Sequence, residues 1–184
     1  MSGTERIETK RLVLRKHEKE DADWLYRILG MDPKMYAYSG WNPYATKAMA
    51  HKTIQTFIDH YDDDFFFSWA IEANGELIGT IGAYDHNVEL NTIEVGISIE
   101  RRNWSKGYAS EALKAVLQYL TAQKKIKVVK AWCAAENQGS KRVMEKCGMK
   151  FINVEHSALC INGKIFDRLN YEYQNQMLEN VSVV

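Results

Sequence analysis

The sequence predicts one mixed α/β domain over residues 1–184, and two kinds of pattern lead to that class. Asn74-Gly75 and Asn162-Gly163 each separate two strand-like segments, and both residue types tolerate the positive φ of a type I′ hairpin turn. Between these hairpins, residues 107–120 carry apolar side chains at helical spacing. Residues 127–133 then contain few polar side chains, which is typical of a strand covered on both faces. Hairpins combined with a strand–helix–strand segment indicate a mixed sheet with helices beside it.

The N-terminal part of the chain predicts one strand, two helices and the loop that joins the helices. Residues 11–15 alternate charged and apolar side chains, which is typical of a strand. Asp21 is a candidate N-cap for the first helix, and a second helix is predicted over residues 46–60. The loop 30–45 contains both prolines and several aromatic rings, which either line a pocket or cover the edge of the core. The apolar stripes of the helices are Trp24, Leu25, Ile28 and Leu29, and then Met49, Ile54, Phe57 and Ile58.

The remaining chain predicts strands that alternate with two further helices. Gly79 and Gly82 fall inside one strand, where they indicate a bulge or a close approach of two backbones and not a phosphate loop. Gly148 follows the last helix and is a candidate for its positive-φ end. In chain order the predicted elements are strands 65–71, 77–84 and 92–99, helix 107–120, strand 127–133, helix 138–147, and strands 151–161 and 164–173.

Charge and cysteine content argue against several classes of partner. The 24 Lys and Arg residues balance 24 Asp and Glu residues, so neither nucleic acid nor anionic membrane is expected as a partner. Cys133, Cys147 and Cys160 form no Cys-x-x-Cys pair and have no His cluster at ligand spacing, so no metal is expected. The polar N-terminal residues lack a signal-peptide core, and no apolar run approaches the ~20 residues that span a bilayer. We therefore expect a reduced, cytoplasmic protein.

The segment from residue 93 to residue 109 carries the most specific chemical signal. It predicts a strand, a short polar loop and the start of a helix, where free backbone N–H groups and the helix dipole favour an anion. Gly107 is small enough to let a pyrophosphate approach the backbone, and the nearby Arg101, Arg102 and Lys106 add positive charge. The alternative is an ordinary turn in which Gly107 only eases entry into the helix.

The loop Trp104–Ala109 resembles the pyrophosphate-binding motif of the GNAT superfamily of N-acetyltransferases, Arg/Gln-x-x-Gly-x-Gly/Ala. Trp104 departs from the usual Arg or Gln at the first position. The run Trp-x-x-Gly-Tyr-Ala followed by Glu111-Ala112-Leu113 is similar to the branch that includes the ribosomal-protein alanine N-acetyltransferases. Other segments similar to that branch follow in order: residues 9–15, residues 75–79, residues 93–96, and Asn137-x-x-Ser140 ahead of Gly148.

This resemblance, which covers residues 9–173, implies a fold, a reaction and partners. The implied fold is the GNAT type of α/β (α+β) structure, a mixed, largely antiparallel sheet of six or seven strands flanked by about four helices. The implied reaction is direct transfer of an acetyl group from acetyl-CoA to a primary amine, with a protein N-terminus as the first choice of acceptor. A homodimer is common in this branch and is expected here.

The resemblance also implies how acetyl-CoA is bound. The backbone of Ile97, Ser98 and Ile99 is implied to hydrogen-bond the acetyl carbonyl and the pantetheine amides, with the Ile97 amide holding the developing oxyanion. Asn137 matches an asparagine that binds the pantetheine arm, although its position before a helix also suits a purely local N-cap. The amides implied to hold the pyrophosphate are those of Trp104, Ser105, Lys106, Gly107, Tyr108 and Ala109.

Proton transfer requires further residues, because most amines are protonated at pH 7. Glu94 is the first candidate for the base, since it lies on the strand that leads to the thioester; the alternative is a solvated strand residue. Many family members have a tyrosine acid seven residues after the asparagine, but here that position is Met144. Ser140 is therefore the candidate donor to the sulfur, and its alternative is a residue of the helix N-terminus. Weaker candidates, with no spacing that links them to the thioester, are Tyr84, His17, His51, His60, His86 and His156.

Two other functions stay open at the level of sequence. A small-molecule amine such as a polyamine or an aminoglycoside could be the acceptor, and such a cation requires carboxylates in its cleft. The only acidic run is Asp62-Asp63-Asp64, which is also typical of a solvated loop. The absence of a tyrosine at position 144 also leaves open a non-catalytic module that binds acyl-CoA.

Overall fold

The computed structural model describes residues 3–39 and 41–175, and within them the chain forms eight strands and four α-helices. The strands are β1 (Ile7–Glu8), β2 (Leu12–Arg15), β3 (Phe67–Ala73), β4 (Glu76–Asn87), β5 (Thr92–Ile99), β6 (Val128–Ala134), β7 (Lys150–Ile161) and β8 (Lys164–Gln174). The helices are α1 (Asp21–Trp24), α2 (Lys47–Asp59), α3 (Tyr108–Gln118) and α4 (Gln138–Lys146). The predicted domain of residues 1–184 extends beyond the described residues at both ends, and its being a single domain stays a prediction.

Contacts divide the described chain into two compact units. The first unit contains residues 3–82 and 97–112, and the second contains residues 83–96 and 113–175. Strands β4 and β5 and helix α3 therefore contribute residues to both. Strand order is β1-β2-β3-β4-β5 within the first unit and β4-β5-β6-β8-β7 within the second.

The first unit packs two helical segments against one another. Helix α1 continues directly into a π-helical turn, Leu25–Gly30, and α2 begins after Thr46, whose side chain accepts a hydrogen bond from the Met49 N–H. A buried apolar cluster is formed by Ala22, Leu25, Leu29, Tyr44, Ala50 and Ile54. Fully burying one such leucine contributes about 1.5–3 kcal/mol.

Two details of the first unit correct the sequence-based expectations. Asp21 is not an N-cap, since that position belongs to Glu20; the Asp21 carboxylate instead accepts hydrogen bonds from the Glu18 N–H and from Arg15. Met49 lies outside the core with 39% of its surface exposed, whereas the adjacent Ala50 is buried. Of the aromatic loop, Tyr44 is buried in the cluster, as expected for a residue that covers the core edge.

The second unit contains a parallel strand pair. Strand β5 pairs with β6 in parallel from Thr92↔Val128 to Glu94↔Lys130, and the antiparallel pairing of β6 with β8 continues to Ala134↔Arg168. Alternate β6 side chains, including Val129 and Ala131, are buried. The intervening Lys130 and Trp132 are half-buried, so one face of β6 is buried and the other is partly exposed to solvent.

The mixed, largely antiparallel fold is confirmed, with slightly more strands than the six or seven expected. Both hairpin turns have the predicted conformation: φ is 53° and 77° at Asn74 and Gly75, and 51° and 76° at Asn162 and Gly163. A two-residue strand such as β1 has too short a pattern to be recognised in the sequence. Within the described part of the chain, the helices are too short or too polar to cross a bilayer.

Candidate active site

The loop after β5 has the backbone conformation of an anion-binding turn. Residues 104–107 are exposed to solvent, and both Ser105 (φ 61°) and Gly107 (φ 83°) lie in the left-handed region. The Glu111 N–H donates to the Gly107 carbonyl at 3.0 Å, which closes the first turn of α3. The backbone N–H groups at the start of α3 lie ahead of the helix's i→i−4 hydrogen bonds and point along the helix axis. They are therefore suited to bind an anion.

The start of the loop is fixed by hydrogen bonds to the end of β5. The Trp104 indole N–H donates to the Ile99 carbonyl at 2.6 Å. Glu100 is buried, its N–H donates to the Ile78 carbonyl at 2.8 Å, and its carboxylate accepts from Arg102 at 2.7 Å and from Asn103 at 3.2 Å. Where the motif usually has Arg or Gln, Trp104 therefore supplies an indole that ties the loop to β5.

The positive charge expected around the loop is largely compensated by neighbouring acids. Arg101 forms an ion pair with Asp32 at 3.0 Å, and Arg102 forms one with Glu100. The Lys106 ammonium donates to the Asn103 side-chain oxygen at 3.0 Å. Backbone amides and the helix N-terminus, more than free cations, are thus the features that favour an anion at this loop.

Arg11 contacts the loop through several groups, a role that the sequence did not predict. Its Nε donates to the Glu111 carboxylate at 2.7 Å, its Nη1 donates to the Lys106 carbonyl at 3.0 Å, and its guanidinium lies 4.6 Å from the centre of the Tyr108 ring. Burial favours a higher pKa for Glu111, but hydrogen bonds from Thr9 and Arg11 outweigh it and lower that pKa. Arg11 and Glu111 are 100 residues apart, so no local pattern could have joined them.

The residues predicted to face the thioester occupy the last part of β5. Ile97 and Ser98 are half-buried and Ile99 is buried. The Ile99 carbonyl already accepts a hydrogen bond from the Trp104 indole. Gly79 allows β4 to approach closely here, because a Cβ at Gly79 would lie 2.3 Å from the Ser98 carbonyl oxygen. The predicted contacts of these three residues with acetyl-CoA stay predictions.

In the second unit, the Glu94 carboxylate lies among three neighbouring side chains. Its carboxylate accepts a hydrogen bond from the Trp132 indole at 2.7 Å and lies 3.5 Å from the Arg168 guanidinium, which also covers the Trp132 ring at 4.9 Å. Burial, followed by the charge of Glu94, raises the pKa of Tyr84, so this phenol stays protonated beside the carboxylate. Gly96 leaves room for Tyr84, since a Cβ there would lie 3.0 Å from the phenol oxygen.

A cavity of about 260 Å³ opens beside Glu94 and is lined by polar side chains of the second unit. Glu94 and Arg168 retain 19% and 30% of their side-chain surface exposed, so both are reachable from solvent. The cavity also includes Lys130, Glu155 and Glu172. An ammonium group entering it meets the carboxylates of Glu94, Glu155 and Glu172.

Asn137 and Ser140 begin helix α4 in the second unit. The Asn137 side-chain oxygen accepts from the Ser140 N–H at 3.1 Å, so its local N-cap role is present. Its amide N–H₂ group is not used by that bond and could still donate to another acceptor. Ser140 is half-buried, while Met144 is buried in the core. The absent tyrosine is thus replaced by a packing residue.

Three candidate histidines and Cys133 are held by contacts with other parts of the structure. His17 is buried next to Asp21, His51 pairs with Asp23 at 2.9 Å, and His156 pairs with Asp167 at 2.9 Å. Cys133 is buried in β6, and burial raises the pKa of its thiol to about 11, which suits packing better than nucleophilic attack. Among the described side chains, no group of three or more His, Cys, Asp or Glu is arranged to hold a metal ion.

Comparison with known proteins assigns the family. The family described as the acetyltransferase (GNAT) domain matches residues 11–150. The chain therefore belongs to the GNAT N-acetyltransferase family. The uncharacterized N-acetyltransferase YoaA of Bacillus subtilis (strain 168) is 29% identical over 163 residues, which make up 88% of this chain and 92% of the relative.

Two solved structures of this family share the fold. RimL, a ribosomal L7/L12 α-N-protein acetyltransferase solved in complex with coenzyme A, superposes with a TM-score of 0.83 at 19% identity over 92% of this chain and 98% of that one. A chimera of spermidine N-acetyltransferase SpeG from Vibrio cholerae and hSSAT superposes with a TM-score of 0.78 at 21% identity, over 93% of this chain and 99% of that one. At these identities the likeness defines the fold alone.

Proposed function

We propose that this enzyme transfers the acetyl group of acetyl-CoA to a primary amine, and that the acceptor is the N-terminal amine of a protein. The observation that carries the proposal is the loop 104–107, exposed at the start of α3 with left-handed backbone at Ser105 and Gly107. Such a turn suits the pyrophosphate of coenzyme A, because it presents backbone amides to an anion. The coenzyme A complex of the RimL neighbour supports the same cofactor.

In the proposed reaction the amine nitrogen attacks the thioester carbonyl carbon, the C–S bond breaks, and the products are an amide and coenzyme A. Glu94 takes the proton that the ammonium must lose first, directly or through water. The Ile97 amide stabilises the oxyanion of the tetrahedral intermediate. The nitrogen then loses a second proton, the thiolate gains one with Ser140 as hydrogen-bond donor, and one proton is released overall.

The carboxylates of the structure bear on whether the acceptor is a protein N-terminus or a polyamine. Asp62, Asp63 and Asp64 are exposed in a turn where the Asp63 side chain accepts from the Phe65 N–H, so this acidic run has a local role. A polyamine is the second candidate, because Glu155 and Glu172 line the cavity beside Glu94 and the SpeG neighbour acetylates spermidine. Lys130 and Arg168 line the same cavity and offset part of that negative charge, which favours an acceptor with one cationic group.

The experiment is a turnover assay that follows thiol release and product mass. The acceptors are lysine-free peptides beginning Ala, Ser or Met, with their Nα-blocked forms as matched controls, together with spermidine and an aminoglycoside. Acetylation of a free peptide but not its blocked form supports the proposal. Acetylation of spermidine alone assigns the polyamine function, and binding of acetyl-CoA without turnover of any amine assigns a non-catalytic module.

A cytoplasmic location and a homodimer complete the proposal. Both rest on the sequence, the first on its cysteine usage and the second on the family resemblance. Light scattering on the purified chain measures the oligomeric state directly, and a monomer at micromolar concentration would contradict the proposed homodimer.

A further inference from the structure

One peptide unit of the loop is oriented by a side chain from the N-terminal part of the chain. The carbonyl of Lys106 accepts a hydrogen bond from Arg11 Nη1 at 3.0 Å. In a planar trans peptide, the C=O and the N–H of one unit point in opposite directions. The Gly107 N–H, which shares this peptide unit, is therefore directed away from Arg11.

Arg11 is itself held in place by three further contacts. Its Nε donates to Glu111 at 2.7 Å, its backbone N–H donates to the same carboxylate at 2.9 Å, and its guanidinium covers the Tyr108 ring. Thr9 donates to Glu111 at 2.7 Å and so fixes the carboxylate in turn. We call Thr9, Arg11 and Glu111 the loop brace. Although 42% of the Arg11 side chain is exposed, these contacts leave it one orientation.

The brace also fills the space beside Gly107. A Cβ at Gly107 would lie 3.2 Å from Arg11 Nη2, so the guanidinium packs against one side of this residue. An anion must then approach from the other side, towards which the Gly107 N–H is directed. Nε and Nη1 of Arg11 already donate to protein acceptors. The guanidinium is therefore better placed to orient the loop than to bind phosphate directly.

We infer that Arg11 is a positioning residue for phosphate binding: through the Lys106 carbonyl it orients the Gly107 amide towards the pyrophosphate of acetyl-CoA. The inference rests on the proposed function. It predicts that Arg11 matters for donors that carry a pyrophosphate and not for the acetyl-transfer step itself.

The test compares two thioester donors in Arg11→Ala. Acetyl-CoA carries the pyrophosphate, whereas S-acetyl-N-acetylcysteamine has the same thioester end and no phosphate. We expect kcat/KM for acetyl-CoA to fall about ten-fold or more, since a charge-assisted hydrogen bond is lost. The loss should lie in KM, with kcat at saturation and kcat/KM for the short donor nearly unchanged. The matched control is Arg6→Ala, which removes an exposed ion pair of the same segment, Arg6–Glu8.

Each outcome decides the inference. Equal losses with both donors mean a general structural role and overturn it, as does an unchanged KM for acetyl-CoA. If Arg11→Ala does not fold, the same two donors are compared in Arg11→Lys. This variant keeps the positive charge but not the planar guanidinium that bridges the Glu111 carboxylate and the Lys106 carbonyl. A parent protein that binds coenzyme A no better than pantetheine contradicts the proposed phosphate site itself, and the inference falls with it.

Discussion

At the scale of single residues, Glu94 has the most specific environment in the second unit. Trp132 donates to its carboxylate, and Arg168 and Tyr84 lie beside it. A carboxylate has about four lone-pair positions, so these contacts orient it without using all its acceptor capacity. Glu94 is thus held in one geometry while part of it stays open to the cavity.

Replacing Glu94 by Gln tests its proposed role as base. Glu94→Gln keeps the shape and one oxygen but cannot take a proton, so kcat should fall ~10²–10⁴-fold. Affinity for coenzyme A should be nearly unchanged, and the acidic limb of the pH–rate profile should disappear. Ser140→Ala is the comparison and should cost less, because water can replace a weak donor to sulfur. Full activity of Glu94→Gln at every pH would mean that the amine loses its proton to solvent.

Gly107 allows a second test by comparison of two glycines. Gly107 (φ 83°) and Gly75 (φ 77°) share a left-handed backbone, and a Cβ at Gly75 would meet nothing within 4 Å. Alanine at either position should lower the free energy of unfolding by about 1–2 kcal/mol, the cost of this conformation for a residue with a Cβ. Only Gly107→Ala should also weaken coenzyme A binding by calorimetry. Equal coenzyme A affinities for the two variants would mean that Gly107 only eases the entry of the chain into helix α3.

At the scale of elements, local patterns predicted the hairpins, β5 and most helix positions. The Asn-Gly turns, the alternation around Glu94 and the spacing of apolar residues in α3 are signals contained in a few neighbouring residues. The π-helical turns Leu25–Gly30 and Tyr119–Gln123 were not predicted, because a one-residue change of hydrogen-bond register leaves the apolar spacing almost intact. Contacts across many residues, such as the loop brace, have no such local signal.

Strand β4 provides a prediction about packing. A Cβ at Gly79 would lie 2.3 Å from the Ser98 carbonyl oxygen, whereas a Cβ at Gly82 would lie 3.1 Å from the Phe67 carbonyl oxygen. Gly79→Ala must displace backbone and should destabilise the protein by about 1–3 kcal/mol, as overpacking does. Gly82→Ala, on the same strand, should cost less. Urea denaturation measures both, and a Gly79→Ala variant as stable as the parent would mean that β4 and the end of β5 can separate freely.

At the scale of the whole molecule, stability should depend on pH through a buried histidine. Burial, opposed by the neighbouring Asp21 carboxylate, lowers the pKa of His17 in the folded protein. The unfolded chain binds a proton there near pH 6.5, but the folded chain does not. The stability contributed by neutral His17 is therefore complete above about pH 6.5 and is lost as the pH falls towards the lower folded pKa.

The measurement is the free energy of unfolding in urea at pH 7.5, 6.5 and 5.5. The parent should lose stability between pH 6.5 and 5.5, and His17→Gln should lose less over that interval. Asp21 acts at lower pH: burial opposes its ionisation, but hydrogen bonds from Arg15 and the Glu18 N–H, together with the nearby His17 ring, lower its pKa well below the usual range. Its contribution is thus lost only as the pH falls below about 4. Identical slopes for parent and His17→Gln above pH 5.5 would contradict this assignment.

The proposed function depends on binding of the acetyl-CoA pyrophosphate by the loop of residues 104–109. A crystal structure of the protein with coenzyme A is the decisive test. We expect pyrophosphate oxygens within about 3 Å of the amide nitrogens at the start of α3, including that of Gly107. Density for the pyrophosphate elsewhere, with these amides bound only to water, would contradict it.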